Sequence, residues 1–395
     1  LAPYLRAPLV KVGDRGCLVM EEGQITQVPT LPLEGPVVDT TGAGDAFIAG
    51  LMYGLYHDAP LTRCVALGNI MGGVCVQHVG CLTGRITAGE LEAKGCRLHL
   101  GEGYLEGLSQ DLIFRTPGMH PDIPALRQLR ESGAEITSEM EVFFEVCPCH
   151  IIAVTGSDGK TTTTTLISEM LKAEGKTVWL GGNIGTPLLP LTREMKETDL
   201  AVVELSSFQL MDMKRSPQRA VVTNLAPNHL DMHKDMAEYV NAKKNIFLRQ
   251  GAGDTLILNL DNEITAGFAK EAKGNVLWFS RQKPVENGVY FKDGVIWRGR
   301  EALLRQEEIL IPGLHNVENY MAAILAVGDS VSDEDIRYVA KHFGGVEHRI
   351  ELVRVKDGVS YYNDSIASSP SRTIAGLRSF RKKVILIAGG YDKHI

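Results

Sequence analysis

A chain of 395 residues, 44% hydrophobic and 23% charged, has the composition of an ordinary globular protein and room for roughly two to four domains, each with its own core. A net charge of −7 leaves no surface basic enough to neutralise a phosphate backbone, which excludes a general nucleic-acid binder. No apolar run approaches the roughly 18 residues a membrane span needs, no signal peptide is visible, and seven unpatterned cysteines read as reduced thiols of a cytoplasmic protein.

In chain order, residues 1–87 carry a nucleotide-type signature, Asp39-Thr40-Thr41-Gly42-Ala43-Gly44-Asp45, and a joint is expected near Thr83–Glu90. Cys147-Pro148-Cys149 invites a metal reading, but zinc pairs usually leave two or more residues between ligands and come with a second pair, so idle thiols are expected. Ile151–Val154 is a short apolar run and predicts a buried strand, followed by a Gly-rich loop and a helix over Thr161–Glu174 that Gly175 stops. Leu200–Val203 and Ala220–Val222 predict two more buried strands. Asp235–Leu248 predicts a helix capped by Asp235, with Tyr239, Lys243 and Phe247 spaced by four. Val289–Trp297 reads as a hairpin turning at Asp293-Gly294, and Val384–Ala388 as another buried strand. Alternating strands and helices of this kind predict an α/β chain of parallel sheets in several domains. The chain begins at Leu1 and stops at Ile395 soon after that last strand, so both ends are expected to be truncations.

Gly156-Ser157-Asp158-Gly159-Lys160-Thr161-Thr162, between a strand and a helix, suits phosphate. Small residues let consecutive N–H groups turn inward, and the helix start adds partial positive charge. Lys160 is placed to reach the outer phosphates and the Thr161 hydroxyl to meet Mg²⁺. Walker spacing would put Gly where Val154 stands, so the loop is a shortened variant. Ligands gather at the carboxyl ends of parallel strands. There Glu204 follows one strand and Asn228-His229-Leu230-Asp231 the next, giving candidate metal ligands at Glu204 and His229.

These motifs, with Gly182-Asn183-Ile184-Gly185, Glu204–Leu210, Tyr239–Lys243, Gly313–Asn319 and Glu347-His348-Arg349, resemble the Mur ligases in order and spacing from about Glu90 to Ile395. Ser206-Ser207-Phe208-Gln209 and Tyr362-Asn363-Asp364-Ser365 are most similar to the branch that adds D-glutamate to UDP-N-acetylmuramoyl-L-alanine. The resemblance implies ATP and Mg²⁺ as cofactors, those two compounds as substrates, an acyl phosphate on the way to an amide, and a role in building the cell wall. It implies that Gly156, Ser157, Asp158, Gly159, Lys160, Thr161 and Thr162 hold the ATP phosphates, with Thr161, Glu204 and His229 on metal. Lys243 would be the lysine that is carbamylated to bind a second Mg²⁺; from the residues alone it reads as a solvated helix lysine. Asn183 and Ser206 would line the cleft, Asn316 and Asn319 meet the nucleotide, Arg349 its phosphates, Asp364 its ribose and Lys393 the D-glutamate carboxylate. Ile366 departs from relatives that carry Lys there, and only the later part of the UDP-substrate domain is represented, including Arg115-Thr116-Pro117-Gly118.

The first block, with Lys11–Gly16 and Val38–Phe47, resembles instead the C-terminal part of a PfkB-type, ribokinase-like sugar kinase. That implies an anion hole at Gly42 and Gly44 and a catalytic base at Asp45, here as a remnant. The expected division is a ribokinase-like piece at 1–87, a partial UDP-substrate domain at 88–149, a central ATP-binding domain at 150–345 and the start of a C-terminal domain at 346–395. A monomer is expected. Beside the ligase stand two other readings: a sugar kinase, and a composite that binds ATP without turnover.

Overall fold

The computed structural model describes residues 9–11, 15–21, 24–30, 47, 51, 60–75, 103–227, 233–346, 350–365, 367, 373–374, 376–377, 379–380 and 383–388. The chain divides into two units, residues 1–100 with 347–395, and residues 101–346. The pieces expected at 1–87 and 346–395 thus fall in one unit, and those at 88–149 and 150–345 largely in the other.

The first unit opens with strands β1 (Leu9–Lys11), β2 (Cys17–Glu21) and β3 (Gln24–Val28), paired antiparallel in sequence order, and helix α1 (Leu61–Cys75). Cys17 and Val19 of β2 bury one face against Phe47, Leu51, Cys64 and Val65. The Asn69 amide of α1 donates to Val28 O (3.0 Å) and Pro29 O (3.1 Å), fastening the helix to the end of β3.

The second unit begins with a small βαβ element: β4 (Leu112–Phe114), α2 (Pro124–Glu131) and β5 (Glu135–Thr137), the strands parallel, then α3 (Glu139–Val146). Ser138 caps α3 by accepting from Glu141 N, and its first turn holds Glu139 and Glu141, which suits a helix N-terminus. There follow β6 (His150–Thr155), α4 (Lys160–Ala173), β7 (Val178–Gly182), β8 (Leu200–Glu204), α5 (Ser207–Leu210), β9 (Arg219–Val222), α6 (Met236–Lys244), β10 (Thr255–Asn259), α7 (Glu263–Gly267) and β11 (Asn275–Ser280). The unit closes with β12 (Gly288–Lys292), β13 (Val295–Arg298), β14 (Glu301–Arg305), α8 (Leu314–Val327) and α9 (Asp333–His342).

One sheet gathers β14-β13-β12-β11-β10-β9-β6-β8-β7; β7 to β12 run parallel, and β13 and β14 antiparallel at one edge. Both faces of the central strands are covered, which is why they read as continuous apolar runs. Ile152 and Val154 face α4 and α8 on one side; Ile151 and Ala153 face α6 and Phe143 of α3 on the other. The Asp293-Gly294 turn has φ of 51° and 77°, the positive values a two-residue hairpin needs. Helix α6 begins where expected, with Asp235 accepting from Glu238 N, but it ends at Lys244, short of Leu248. Its last turn tightens instead: Asn245, Ile246 and Phe247 donate to carbonyls three residues back.

The chain returns to the first unit with the hairpin β15 (Glu351–Lys356) and β16 (Val359–Asn363), and with β17 (Ile387–Ala388). β17 runs parallel to β1, pairing Leu9 with Ile387 and Val10 with Ala388. Of the stretch predicted as a strand over Val384–Ala388, Ile387 and Ala388 pair with β1, Val384 makes a single bridge, and Ile385 is exposed.

Candidate active site

Strand β6 lies between β8 and β9, so the chain leaves it toward both sides of the sheet. At such a reversal the loops at the carboxyl strand ends part and leave a crevice. The 156–159 loop opens there and passes into α4.

Gly156 (φ 149°) and Gly159 (φ 81°) make the loop possible. A Cβ at Gly156 would collide with the Thr223 hydroxyl, and one at Gly159 with Asn319 Oδ1. The end of β9 holds the loop in shape: Ser157 N donates to Asn224 O (2.8 Å), Asp158 N to Asn224 Oδ1 (3.0 Å), and Thr223 Oγ1 to Asp158 O (2.6 Å). Two loop amides are therefore already engaged. The first intrahelical bond of α4 runs from Thr163 N to Gly159 O (2.9 Å), so the N–H groups of Gly159–Thr162 have no carbonyl within the helix. Those four are the ones a phosphate would meet.

Lys160 Nζ turns back to donate to Gly156 O (3.1 Å) and Ser157 O (3.0 Å). Lys243 Nζ reaches the same Gly156 carbonyl from α6 (2.9 Å) and also donates to Thr155 Oγ1 (3.1 Å). Lys243 is only 2% exposed, so it is no solvated surface lysine. Burial drives its ammonium well below the ordinary lysine range; the charge of Lys160 adds to this, and Glu204 and Asp158 oppose it. The Tyr239 ring, one helical turn earlier, lies 4.9 Å from its Nζ. Tyr239 OH is 2.9 Å from Ser157 Oγ, whose own proton goes to Ala226 O (2.9 Å). One buried phenol thus touches both the loop and Lys243.

Glu204, at the end of β8, is 2% exposed. The Asn183 amide donates to its Oε1 (3.0 Å), while Oε2 has no hydrogen-bond partner among the described residues. Ser206 starts α5 in a reciprocal cap with Gln209, accepting from Gln209 N (3.2 Å) while Gln209 Oε1 accepts from Ser206 N (2.9 Å). On α8, Asn319 Nδ2 donates to Asn316 Oδ1 (3.0 Å), Asn316 Nδ2 to Pro312 O (2.6 Å), and Thr163 Oγ1 to Asn319 Oδ1 (3.3 Å). These two asparagines are buried against the first turns of α4.

The second unit therefore brings together Gly156–Thr162, Asn183, Glu204, Ser206, Lys243, Asn316 and Asn319. Asp364 belongs to the first unit, where its Oδ1 accepts from Ile350 N (3.2 Å). His229, Arg349, Lys393, Ile366, Gly42, Gly44 and Asp45 lie outside the described residues. Among the described residues no group of three or more His, Cys, Asp or Glu side chains is placed to hold a metal by itself. Thr155, Thr223, Asn224 and Tyr239 were not singled out as site residues from the sequence. The signal for Tyr239 was present, four residues before Lys243 on one helix face.

Buried His233 was also missed. It stacks on Phe208 (5.2 Å between ring centres) and lies 2.9 Å through Nε2 from Ser207 Oγ, bracing α5 against the start of α6. A cleft of about 570 Å³ lined by His120, Asp122, Asp212, Glu238 and Lys244 includes none of the loop residues.

Residues 154–327 match the Mur ligase middle domain, and residues 2–88 the pfkB family carbohydrate kinases. Over 314 residues the chain is 59% identical to the UDP-N-acetylmuramoylalanine–D-glutamate ligase of Acetivibrio thermocellus, covering 78% of this chain and 67% of that relative. It is 57% identical over 308 residues to the protein of the same name from Clostridium novyi, with the same coverage. Among solved structures, MurF from Acinetobacter baumannii is similar at a TM-score of 0.50 and 18% identity, over 67% of this chain and 66% of that one, a likeness of fold alone.

Proposed function

This chain belongs to the Mur ligases, among the UDP-N-acetylmuramoylalanine–D-glutamate ligases, and on that footing we propose that it uses ATP to join D-glutamate to UDP-N-acetylmuramoyl-L-alanine, in the cytoplasm, as a step in peptidoglycan precursor synthesis. The observation that carries the reading is the meeting of a phosphate loop with a buried carboxylate at adjacent strand ends, one carboxylate oxygen having no partner among the described residues.

A carboxylate acylates poorly because oxide is a poor leaving group. Its attack on the γ-phosphorus of ATP expels ADP and makes an acyl phosphate; attack of the D-glutamate amine on the acyl carbon then expels phosphate and leaves an amide. The N–H groups of Gly159–Thr162 and the Lys160 ammonium are assigned to the triphosphate, so Lys160 leaves the carbonyls it holds when ATP enters. Asn183 keeps the Glu204 carboxylate turned so that its other oxygen stays available.

Mg²⁺ fits this donor set: the Thr161 hydroxyl and the Glu204 oxygen that has no hydrogen-bond partner among the described residues are hard oxygen ligands, and the resemblance adds His229, which lies outside the described residues. Bound there, it would offset the negative charge of triphosphate and substrate carboxylate. Burial disfavours the Lys243 ammonium, and the unprotonated amine is the form that adds CO₂. We assign it that reaction, which puts a carboxylate where an ammonium would repel a cation.

The test is ADP release by the full chain with each substrate omitted in turn. Release that needs both UDP-N-acetylmuramoyl-L-alanine and D-glutamate, and falls about 100-fold or more in Glu204→Gln, supports the reading. ATP binding without such turnover overturns it. The match over residues 2–88 favours a second reading, in which the first block phosphorylates a sugar with Asp45 as base. It stands only if ATP-dependent phosphorylation in a sugar panel is lost in Asp45→Asn.

A further inference from the structure

Cys147 closes α3 as its C-cap, and Cys149 stands one residue before β6, with Pro148 between them. This turn brings the two thiol sulfurs to 3.5 Å, and both cysteines are free. A disulfide needs its sulfurs at about 2.05 Å and its Cα atoms within about 6.8 Å. Two residues apart, the Cα atoms cannot exceed roughly 7.6 Å, and the sulfurs have to close from 3.5 Å to bonding distance. Met195 Sδ lies 4.0 Å from Cys147 Sγ. A third sulfur close by would tempt a metal reading, but Cys147 and Cys149 are joined by no third His, Cys, Asp or Glu ligand among the described residues.

We propose that Cys147 and Cys149 form a redox couple that a hydroperoxide converts to an intrachain disulfide and a dithiol reductant restores. The roles follow from exposure. Cys149 is buried at 4%, whereas Cys147 is half-buried and reaches solvent, so Cys147 meets the oxidant first. Its thiolate attacks the outer peroxide oxygen, the O–O bond breaks, and a sulfenic acid and an alcohol (water, for hydrogen peroxide) result. Cys149 sulfur then attacks the Cys147 sulfur; its proton and the sulfenic hydroxyl leave together as water. Two thiols are oxidised and one peroxide bond is reduced. Burial pushes Cys149 up to about 12, with the neighbouring Cys147 thiol adding to the rise, which keeps Cys149 from acting first. The product ties the end of α3 to the start of β6, the strand that carries the phosphate loop at its other end.

The experiment uses the full chain, exposed to hydrogen peroxide, alkylated and digested with trypsin. The peptide spanning residues 131–160 contains no Lys or Arg before Lys160 and only these two cysteines. The expected product is that peptide about 2 Da lighter and unalkylated, with two alkylated thiols returning after dithiothreitol. Cys149→Ser should leave Cys147 as a sulfenic acid that dimedone traps, and Cys147→Ser should leave Cys149 alkylatable. The proposal fails if the native peptide keeps both thiols alkylatable, or if each cysteine gains oxygen atoms independently without losing two hydrogens.

Discussion

Two amines, those of Lys160 and Lys243, donate to the single carbonyl of Gly156. Burial first, and the charge of the half-buried Lys160 beside it second, disfavour the protonated form of Lys243. The pH consequence has a definite sign. The folded pKa of Lys243 lies well below 10.5, so between the two values the unfolded chain binds a proton that the folded one does not, and stability rises with pH through that window. In CO₂-free buffer, Lys243→Met should flatten this rise. Urea midpoints at pH 7 and pH 9 measure it, and an undiminished rise in the variant would show that the proton belongs elsewhere. Gly159→Ala forces a left-handed φ on a residue with a Cβ and drives that Cβ into Asn319. A loss of about 1–3 kcal/mol in stability is expected, together with weaker ATP binding in calorimetry. The inward aim of Lys243 was legible after all: Tyr239, Lys243 and Phe247 form one stripe, and all three are buried. The lysine's chemistry had outweighed its aromatic neighbours in the solvated reading.

Among elements, the strands at 150–155, 200–204 and 219–222 were plain in the sequence because helices cover both faces of the sheet, leaving no polar alternation to confuse with a surface strand. Strands Thr255–Asn259 and Asn275–Ser280 are equally apolar but are followed by no phosphate-type motif, and were passed over. The loop's shape was legible only in part: its glycines announce it, but the clamp from Thr223 and Asn224 depends on strand order, which periodicity does not report. Tyr239→Phe removes the phenol's hold on Ser157 while keeping the ring beside Lys243. ATP binding should weaken by roughly threefold to tenfold, the worth of about one hydrogen bond, with stability nearly unchanged. A titration with equal affinity would release Tyr239 from any part in shaping the loop. Arg115 joins the β4–β5 element to α5. Its guanidinium donates to both Asp212 oxygens (3.2 and 2.6 Å), to Met119 O (2.6 Å) and to Phe208 O (3.2 Å). Arg115→Ala should cost about 3 kcal/mol and speed amide exchange in Leu112–Phe114 more than in His150–Thr155.

For the whole molecule, the two units have separate cores, one around Cys17, Val19 and Phe47 and the others around the large sheet. Val19→Asp should therefore raise amide exchange in residues 17–28 and leave that of β6 unchanged. Simultaneous loss of protection in both would mean that the chain unfolds as one cooperative body. Nothing in local sequence foretold the pairing of β1 with β17, because a parallel partner brought from the far end of a chain leaves no periodic trace.

That pairing sets a timetable for synthesis. Leu9 and Val10 are made 378 residues ahead of their partners Ile387 and Ala388. At about 5–20 residues per second, the outer side of β1 waits on the order of tens of seconds for its neighbour. During that time it is an open strand edge able to recruit any extended segment nearby. Newly made chains should thus be most prone to aggregate before β17 has been made, and chaperones that shield strand edges should raise the yield more than slower expression does.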